Sequence, residues 1–331
     1  MKEGQKGLVF IGLICLLIGL IVGIFINYFL NLNKDKDTSK SIVYSRINDA
    51  DMLFYKNMHT EALNIYEEIQ PLLNEVIDKE YLFNINKHKG IIYYQMALNQ
   101  KGKENKIDYL KKGISSFRKA LEYGSDSPLS VAMIYDEIGN VFIGLSELED
   151  KKDNLKSAIV AYNNSLELYD KEKYPMVYAE TQSNLGTALS YISNIENRNN
   201  NLRSALSSYA EALKYFEMSK NSGKYAAVLI NIGNCYIDLS KIENSDKMLQ
   251  KAIEAYQKSL LVFTYDDYPS NYALINNNLG NAYSYLASFS DKETNNAKAV
   301  QSYEQALRFF TYEDYPEVYS KITTSIDKLT E

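Results

Sequence analysis

Four glycines recur at an interval of 47 residues: Gly139, Gly186, Gly233 and Gly280. Each sits in a matching neighbourhood, Glu137-Ile138-Gly139-Asn140, Asn184-Leu185-Gly186-Thr187, Asn231-Ile232-Gly233-Asn234 and Asn278-Leu279-Gly280-Asn281. A second motif begins 19 residues after each glycine: Ala158 with Tyr162 and Ser165, Ala205 with Tyr209 and Ala212, Ala252 with Tyr256 and Ser259, Ala299 with Tyr303 and Ala306. Proline keeps the same beat, with Pro128, Pro175 and Pro269 standing 11 residues before Gly139, Gly186 and Gly280. A chain that repeats itself on this scale stacks like units, each covering the apolar face its neighbour leaves open, and has no single central core.

Each unit reads as two helices. Proline suits the first helical position, where its missing N–H has no intrahelical role. From Pro175 the apolar positions Val177, Tyr178, Leu185, Ala188, Leu189 and Ile192 hold one face, and Leu202, Ala205, Leu206, Tyr209, Ala212, Leu213 and Phe216 hold a second. The stretches Glu147–Asp153, Asn194–Asn201, Lys241–Asp246 and Ser290–Asn296 lack helical apolar spacing and are expected to be loops. A mid-helix glycine costs ~1 kcal/mol relative to alanine, so its recurrence needs a packing reason. Gly139, Gly186, Gly233 and Gly280 are expected to let the first helix approach the second, where Ala158, Ala205, Ala252 and Ala299 answer them, with the aromatic filling the space beside.

In these features the chain resembles the tetratricopeptide repeat (TPR) family, which pairs Leu-Gly and an aromatic on one helix with Ala, an aromatic and Ala on the next, as Leu279-Gly280, Tyr283, Ala299, Tyr303 and Ala306 do here. The period departs from the ~34 residues typical of that family and falls within the ~40–47 of armadillo and HEAT units, a structural rival. It is expected to be a long-loop TPR variant. The resemblance implies an all-α fold, an α-solenoid of helix-turn-helix repeats wound as a right-handed superhelix. Six repeats are expected over 44–314, divided as 44–80, 81–124, 125–173, 174–222, 223–267 and 268–314, with 315–331 as a capping helix. The early units are irregular: Gly90, Gly113, Phe117 and Ala120 belong to one with four residues more inside it, and Ala50, Ala62 and Tyr66 to one with short spacing.

Residues 8–30, LVFIGLICLLIGLIVGIFINYFL, contain no charge. At 1.5 Å per residue such a helix covers the ~30 Å hydrocarbon layer. A cleavable signal peptide wants a shorter run and a small-residue cleavage site, and the first alanine is Ala50. A single-pass anchor at 8–30 is therefore expected, after a stub at 1–7 and before a linker at 31–43, holding the chain in the cell membrane through contact with the lipid bilayer. Lys2 and Lys6 precede it and Lys34, Lys36 and Lys40 follow, so the basic flanks nearly balance; the short positive stub favours a cytosolic N-terminus with the solenoid on the extracytoplasmic side.

The remaining composition removes most chemistry. Two Cys and two His exclude a disulfide scaffold and zinc fingers. A net charge of −6 offers no basic surface for nucleic acid. His59 and His88 lie in different early repeats without matched partners, the glycines are single rather than phosphate-cradling, and Cys235 reads as a packing residue. No cofactor, no metal site and no enzymatic activity are expected. Asn140, Asn184, Asn231, Asn234, Asn278 and Asn281 flank the repeat glycines on the face that should line the concave groove. An amide both donates to and accepts from a peptide backbone. The TPR resemblance implies that such a ladder holds an extended peptide; the same residues also fit a hydrated, unoccupied repeat consensus. Groove positions Met133, Glu180, Ala227 and Leu274 supply none of the cations a carboxylate clamp needs, and residues 41–331 carry −8, so a neutral or basic guest is favoured. The expected function is a membrane-anchored scaffold binding a protein or peptide partner. The alternative is a structural protein that self-associates as a homo-oligomer, through Gly19 and Gly23 of the anchor or through the solenoid ends.

Overall fold

The computed structural model describes residues 36–75, 77–218, 222–243 and 245–331. The anchor and stub expected at 1–30 lie outside the described residues. Thirteen α-helices follow one another among the described residues: α1 Lys36–Tyr55, α2 His59–Ile69, α3 Lys79–Leu98, α4 Lys103–Tyr123, α5 Pro128–Ser146, α6 Lys151–Leu168, α7 Pro175–Ser193, α8 Arg198–Met218, α9 Ser222–Glu243, α10 Asp246–Leu260, α11 Pro269–Leu286, α12 Lys292–Leu307 and α13 Pro316–Thr330. They pack as consecutive pairs, α1 with α2 through α11 with α12, and each second helix also packs on the first helix of the next pair. First helices α3, α5, α7 and α9 touch in succession and approach one another more closely than successive second helices do. They therefore form the inner layer of a solenoid. The last helix, α13, has no pair; it buries Ile322 against Ala299, Tyr303 and Ala306, and turns Thr324, Asp327 and Lys328 outward.

Two expectations are corrected. The polar stretches read as loops are in part helix: only 147–150 separates α5 from α6, 194–197 separates α7 from α8, and 287–291 separates α11 from α12. The length beyond an ordinary TPR unit goes into helices of 15 to 22 residues and the turns between pairs. Polar residues dominate those stretches because the helix ends they form project past the packed seam into solvent. Asp150, Asn197 and Asp291 adopt φ of 41°, 48° and 39°, the left-handed region these residues tolerate. Four residues on, the amides of Asn154, Asn201 and Asn295 donate to the carbonyls of Glu149, Glu196 and Ser290 at 2.8, 2.7 and 2.7 Å, closing each turn. The second correction is at the start. The expected linker 31–43 is already helical from Lys36, because the helix that carries Val43, Tyr44 and Ile47 into the first core extends upstream of them.

One described helix, α5, is long and apolar enough to cross a membrane. It lies mid-chain and its Ala132, Ile134, Ile138, Val141 and Leu145 are buried, the last four within a core shared with Leu110, Phe117 and Ala161.

The seam explains the glycines more sharply than expected. Ala158, Ala205, Ala252 and Ala299 are fully buried. Yet what lies on each glycine is the aromatic ring itself. A Cβ added at Gly186 would stand 2.7 Å from Tyr209 Cε1, and one at Gly280 would stand 2.5 Å from Tyr303. Tyr162 and Tyr256 cover Gly139 and Gly233 in the same way, and Phe117 covers Gly90. The rings are held from every other side, so they have little freedom to retreat. Gly186→Ala is therefore expected to destabilise by ~1–3 kcal/mol through overpacking, although alanine is the better helix former. Gly223, near the start of α9 with nothing within 4 Å of an added Cβ, is the control. Gly223→Ala should be neutral or stabilising by up to ~1 kcal/mol. Chemical denaturation of both variants decides, and a Gly186→Ala midpoint at or above the parent's would refute the ring-on-glycine account.

Candidate functional site

On each first helix the residues six and two before the glycine and one and five after it share a face. This face contains all six asparagines singled out above. It also carries Met133, Leu274, Tyr191 and Tyr285, which are 49, 46, 41 and 48% exposed. The inner layer thus presents a polar ladder flanked by exposed apolar and aromatic side chains.

The asparagines are tied into the seam. A tyrosine buried against its glycine brings its hydroxyl out at the groove floor, where the residue after the glycine receives it. Tyr162 Oη donates to Asn140 Oδ1 at 2.8 Å, Tyr256 to Asn234 at 2.6 Å and Tyr303 to Asn281 at 2.8 Å. Tyr209 Oη meets Thr187 Oγ1 at 3.1 Å. The next repeat then joins: Asn184 Nδ2 donates to Asn140 Oδ1 at 3.4 Å, and Asn278 Nδ2 to Asn234 Oδ1 at 3.3 Å. The Asn140 and Asn234 rungs each span three helices. Burial holds all four tyrosine hydroxyls above their ordinary pKa, as expected of phenols with apolar surroundings. The rungs leave one valence of most ladder amides open to the groove. Asn231 differs, since threonine stands at 187 and its amide has no side-chain partner among the described residues.

The ladder extends further than its repeat spacing indicated. Tyr66 donates to Asp51 Oδ1 at 2.5 Å, and His88 Nδ1 lies 3.1 Å from the same oxygen and 2.9 Å from the phenol. This is the same rung with Asp51 after the glycine-equivalent Ala50 and His88 two before Gly90. The expectation that His88 has no partner is corrected: the shorter first unit shifts the register, so the match is invisible at a spacing of 47. Burial acts to raise the Asp51 carboxyl, but the hydrogen bonds of His88 and Tyr66 outweigh it and hold the group below its usual value. His88 is buried and stacks on Phe54 with ring centroids 4.3 Å apart.

One rung is absent. In the second pair the aromatic is Phe117, which has no hydroxyl, and the residue after Gly90 is Ile91, which has no acceptor. Hydroxyl and acceptor vanish together, as the cost of an unpartnered buried phenol requires. Opposite that gap, in ladder register, stands Glu137.

Beside it lies a feature unrelated to the ladder. Asp136 Oδ2 accepts from Tyr169 Oη at 2.8 Å and Thr181 Oγ1 at 2.7 Å, joining α5, the end of α6 and α7. Its Oδ1 is buried without a partner. Burial pushes the carboxyl up to about 6, with the two hydrogen bonds opposing. Cys235 is buried, as a packing residue should be, and burial raises its thiol to about 11. Among the described residues no group of three or more His, Cys, Asp or Glu side chains is placed to hold a metal ion.

Similar solved structures support the architecture. RapI in its apo form is 18% identical with a TM-score of 0.50, over 86% of this chain and 99% of that one. A STAND signal-transduction ATPase with a tetratricopeptide repeat sensor, from Pyrococcus horikoshii, is 14% identical with a TM-score of 0.52, over 87% of this chain and 38% of that one. No family model and no curated protein matches the chain. The protein is an all-α TPR-like helical repeat solenoid, an architecture consistent with protein–protein interaction.

Two predictions follow from the rungs and the buried acid. Phe117→Tyr should cost ~1–3 kcal/mol, the penalty for a buried hydroxyl facing Ile91, and adding Ile91→Asn should restore most of it; a double variant no more stable than the single one would disprove the pairing rule. The Asp136 pKa is raised in the folded state, so its favourable contribution is complete below about 4 and is lost as the pH rises through about 6. Between pH 7.5 and pH 4.5 the parent should gain on the order of 1–3 kcal/mol relative to Asp136→Asn. Parallel pH–stability curves for the two proteins would remove Asp136 as the source.

Proposed function

We propose that this chain is a membrane-anchored scaffold whose inner face holds an extended peptide segment of a partner protein, with no chemistry of its own. In this reading the solenoid is a right-handed TPR superhelix with a 47-residue period, tethered by an apolar anchor at 8–30, with its bulk on the extracytoplasmic side of the cell membrane. The observation that carries the binding function is the half-satisfied ladder. Asn184 and Asn278 spend a donor on the preceding repeat and keep an acceptor, Asn234 and Asn281 spend an acceptor on a tyrosine and keep a donor, and Asn231 keeps both. Donors and acceptors fixed on packed helices at regular intervals suit an extended backbone, which offers the same alternation. Tyr191 and Tyr285 add amphipathic surface of the kind interfaces favour.

Asn231 is the residue whose removal touches the groove without cutting a rung. With the full chain in detergent, Asn231→Ala should melt within about 0.5 kcal/mol of the parent, as surface changes do, while recovery of co-purifying partners falls severalfold. Asn231→Ala recovering each partner as well as the parent does would sink the ladder as a binding surface. For the membrane arrangement, protease added outside intact cells should degrade the solenoid; protection in intact cells and digestion only after lysis would place it on the cytosolic side.

A further inference from the structure

Several acids of the groove face have a basic partner. Glu180 pairs with Lys224. Asp238 pairs with Arg198 at 3.1 Å and Lys241 at 3.3 Å. Asp51 is engaged by His88 at 3.1 Å. Glu137 has no cation among the described residues; its one favourable neighbour is the Asn140 amide, while burial and the charge of Asp136 raise its pKa. It occupies the ladder position that Asn184, Asn231 and Asn278 fill in later repeats, and it faces the rung that lacks both hydroxyl and acceptor.

The surroundings suit a long aliphatic stem. Met133 lies one turn before Glu137 on the groove face and is half exposed. Ile91 stands opposite by the register that sets Asn140 against Asn184, and Tyr94 of α3 is close enough to feel the Glu137 charge. One turn further, where α7 and α11 carry Tyr191 and Tyr285, α5 has Gly144, which adds no side chain to the groove face. A partly desolvated carboxylate walled by apolar groups is poorly compensated when empty and gains a full partner when a cation enters.

We propose that Glu137 is the specificity-determining residue of the groove and receives the ammonium or guanidinium group of one lysine or arginine side chain in the bound extended peptide. The inference rests on the peptide-groove reading above. The net charge of −6 favours the same guest at long range. Glu137 supplies the local selection: a neutral side chain of equal length would leave it half-buried and unpaired, which is how a site discriminates rather than merely attracts.

The test uses the full-length chain in non-ionic detergent and two dye-labelled pools of mixed-sequence nonapeptides, identical except that the central residue is lysine in one and norleucine in the other. Fluorescence anisotropy should show the lysine pool binding the parent at least tenfold more tightly. Glu137→Gln should abolish that difference, Glu137→Asp should retain part of it, and Glu180→Gln, whose carboxylate is already neutralised, should leave it unchanged. Equal binding of both pools by the parent overturns the assignment of Glu137 and leaves the groove reading intact; this comparison needs no variant to fold. A lysine preference that survives in Glu137→Gln overturns it as well. Binding of neither pool refutes both the assignment and the peptide groove beneath it.

Discussion

Five of the six helix pairs depend on an aromatic ring packed against a backbone with no side chain. Gly90, Gly139, Gly186, Gly233 and Gly280 each meet a ring from the second helix of the same pair, at a separation that excludes even a methyl group. The contact sets the distance between the two helices and removes an entire ring from water. A ring buries on the order of 150–250 Å². Because the glycine recurs in register, so does the helix spacing, and identical pairs stack without accumulating error. Stability in such a chain is close to a sum over pairs and their interfaces, so no pair carries the fold alone.

The same contact fixes the chemistry of the inner face. A tyrosine pressed on the glycine can only project its hydroxyl past the first helix toward the groove, and the hydroxyl then requires an acceptor one residue beyond the glycine. Asn140, Thr187, Asn234 and Asn281 meet that requirement, and the amides of Asn184 and Asn278 extend it to the following pair. The ladder is therefore a structural clip, and the recognition role proposed for it would use different atoms of the same amides. The clip orients the amide and leaves its opposite end unpaired, so under the proposed peptide-groove reading the surface would be held rigid before a ligand arrives.

How much of this was legible in the sequence follows from which parts repeat. Gly186 with Ala205 and Tyr209 marks the helix pair because steric demands at a close contact leave few residue choices. The extents of the helices were misread around Glu147–Asp153 and Ser290–Asn296, since solvated helix ends and loops share the same Asn, Asp, Lys and Glu. The turn device at Asp150 and Asn154 was present as residue types without being recognisable as a turn. His88 was misjudged because its partners sit at 51 and 66, displaced by the shorter first unit. Asp136 gave no signal at all: its counterparts at 183, 230 and 277 are Ser, Ile and Asn, and its burial arises from contacts with Tyr169 and Thr181 that no local pattern announces.

Departures from the repeat are where a solenoid acquires direction. The ring-on-glycine packing is nearly constant from the second pair to the sixth, but the chemistry of the rungs changes along the axis. The first is ionisable, built from Asp51, His88 and Tyr66; the second is apolar, Ile91 with Phe117, and faces Glu137; from Asn140 onward they are neutral. A uniform ladder of amides would hold a peptide in many registers, because each step along it offers the same partners. Under the proposed reading, the half-buried carboxylate of Glu137 and the ionisable first rung would break that degeneracy, since a guest shifted by one repeat would leave a charge uncompensated. The constancy of the glycine–ring contact is what permits this: because the hydroxyl and its acceptor can be replaced together without disturbing the seam, the groove can vary its chemistry repeat by repeat while the fold stays the same.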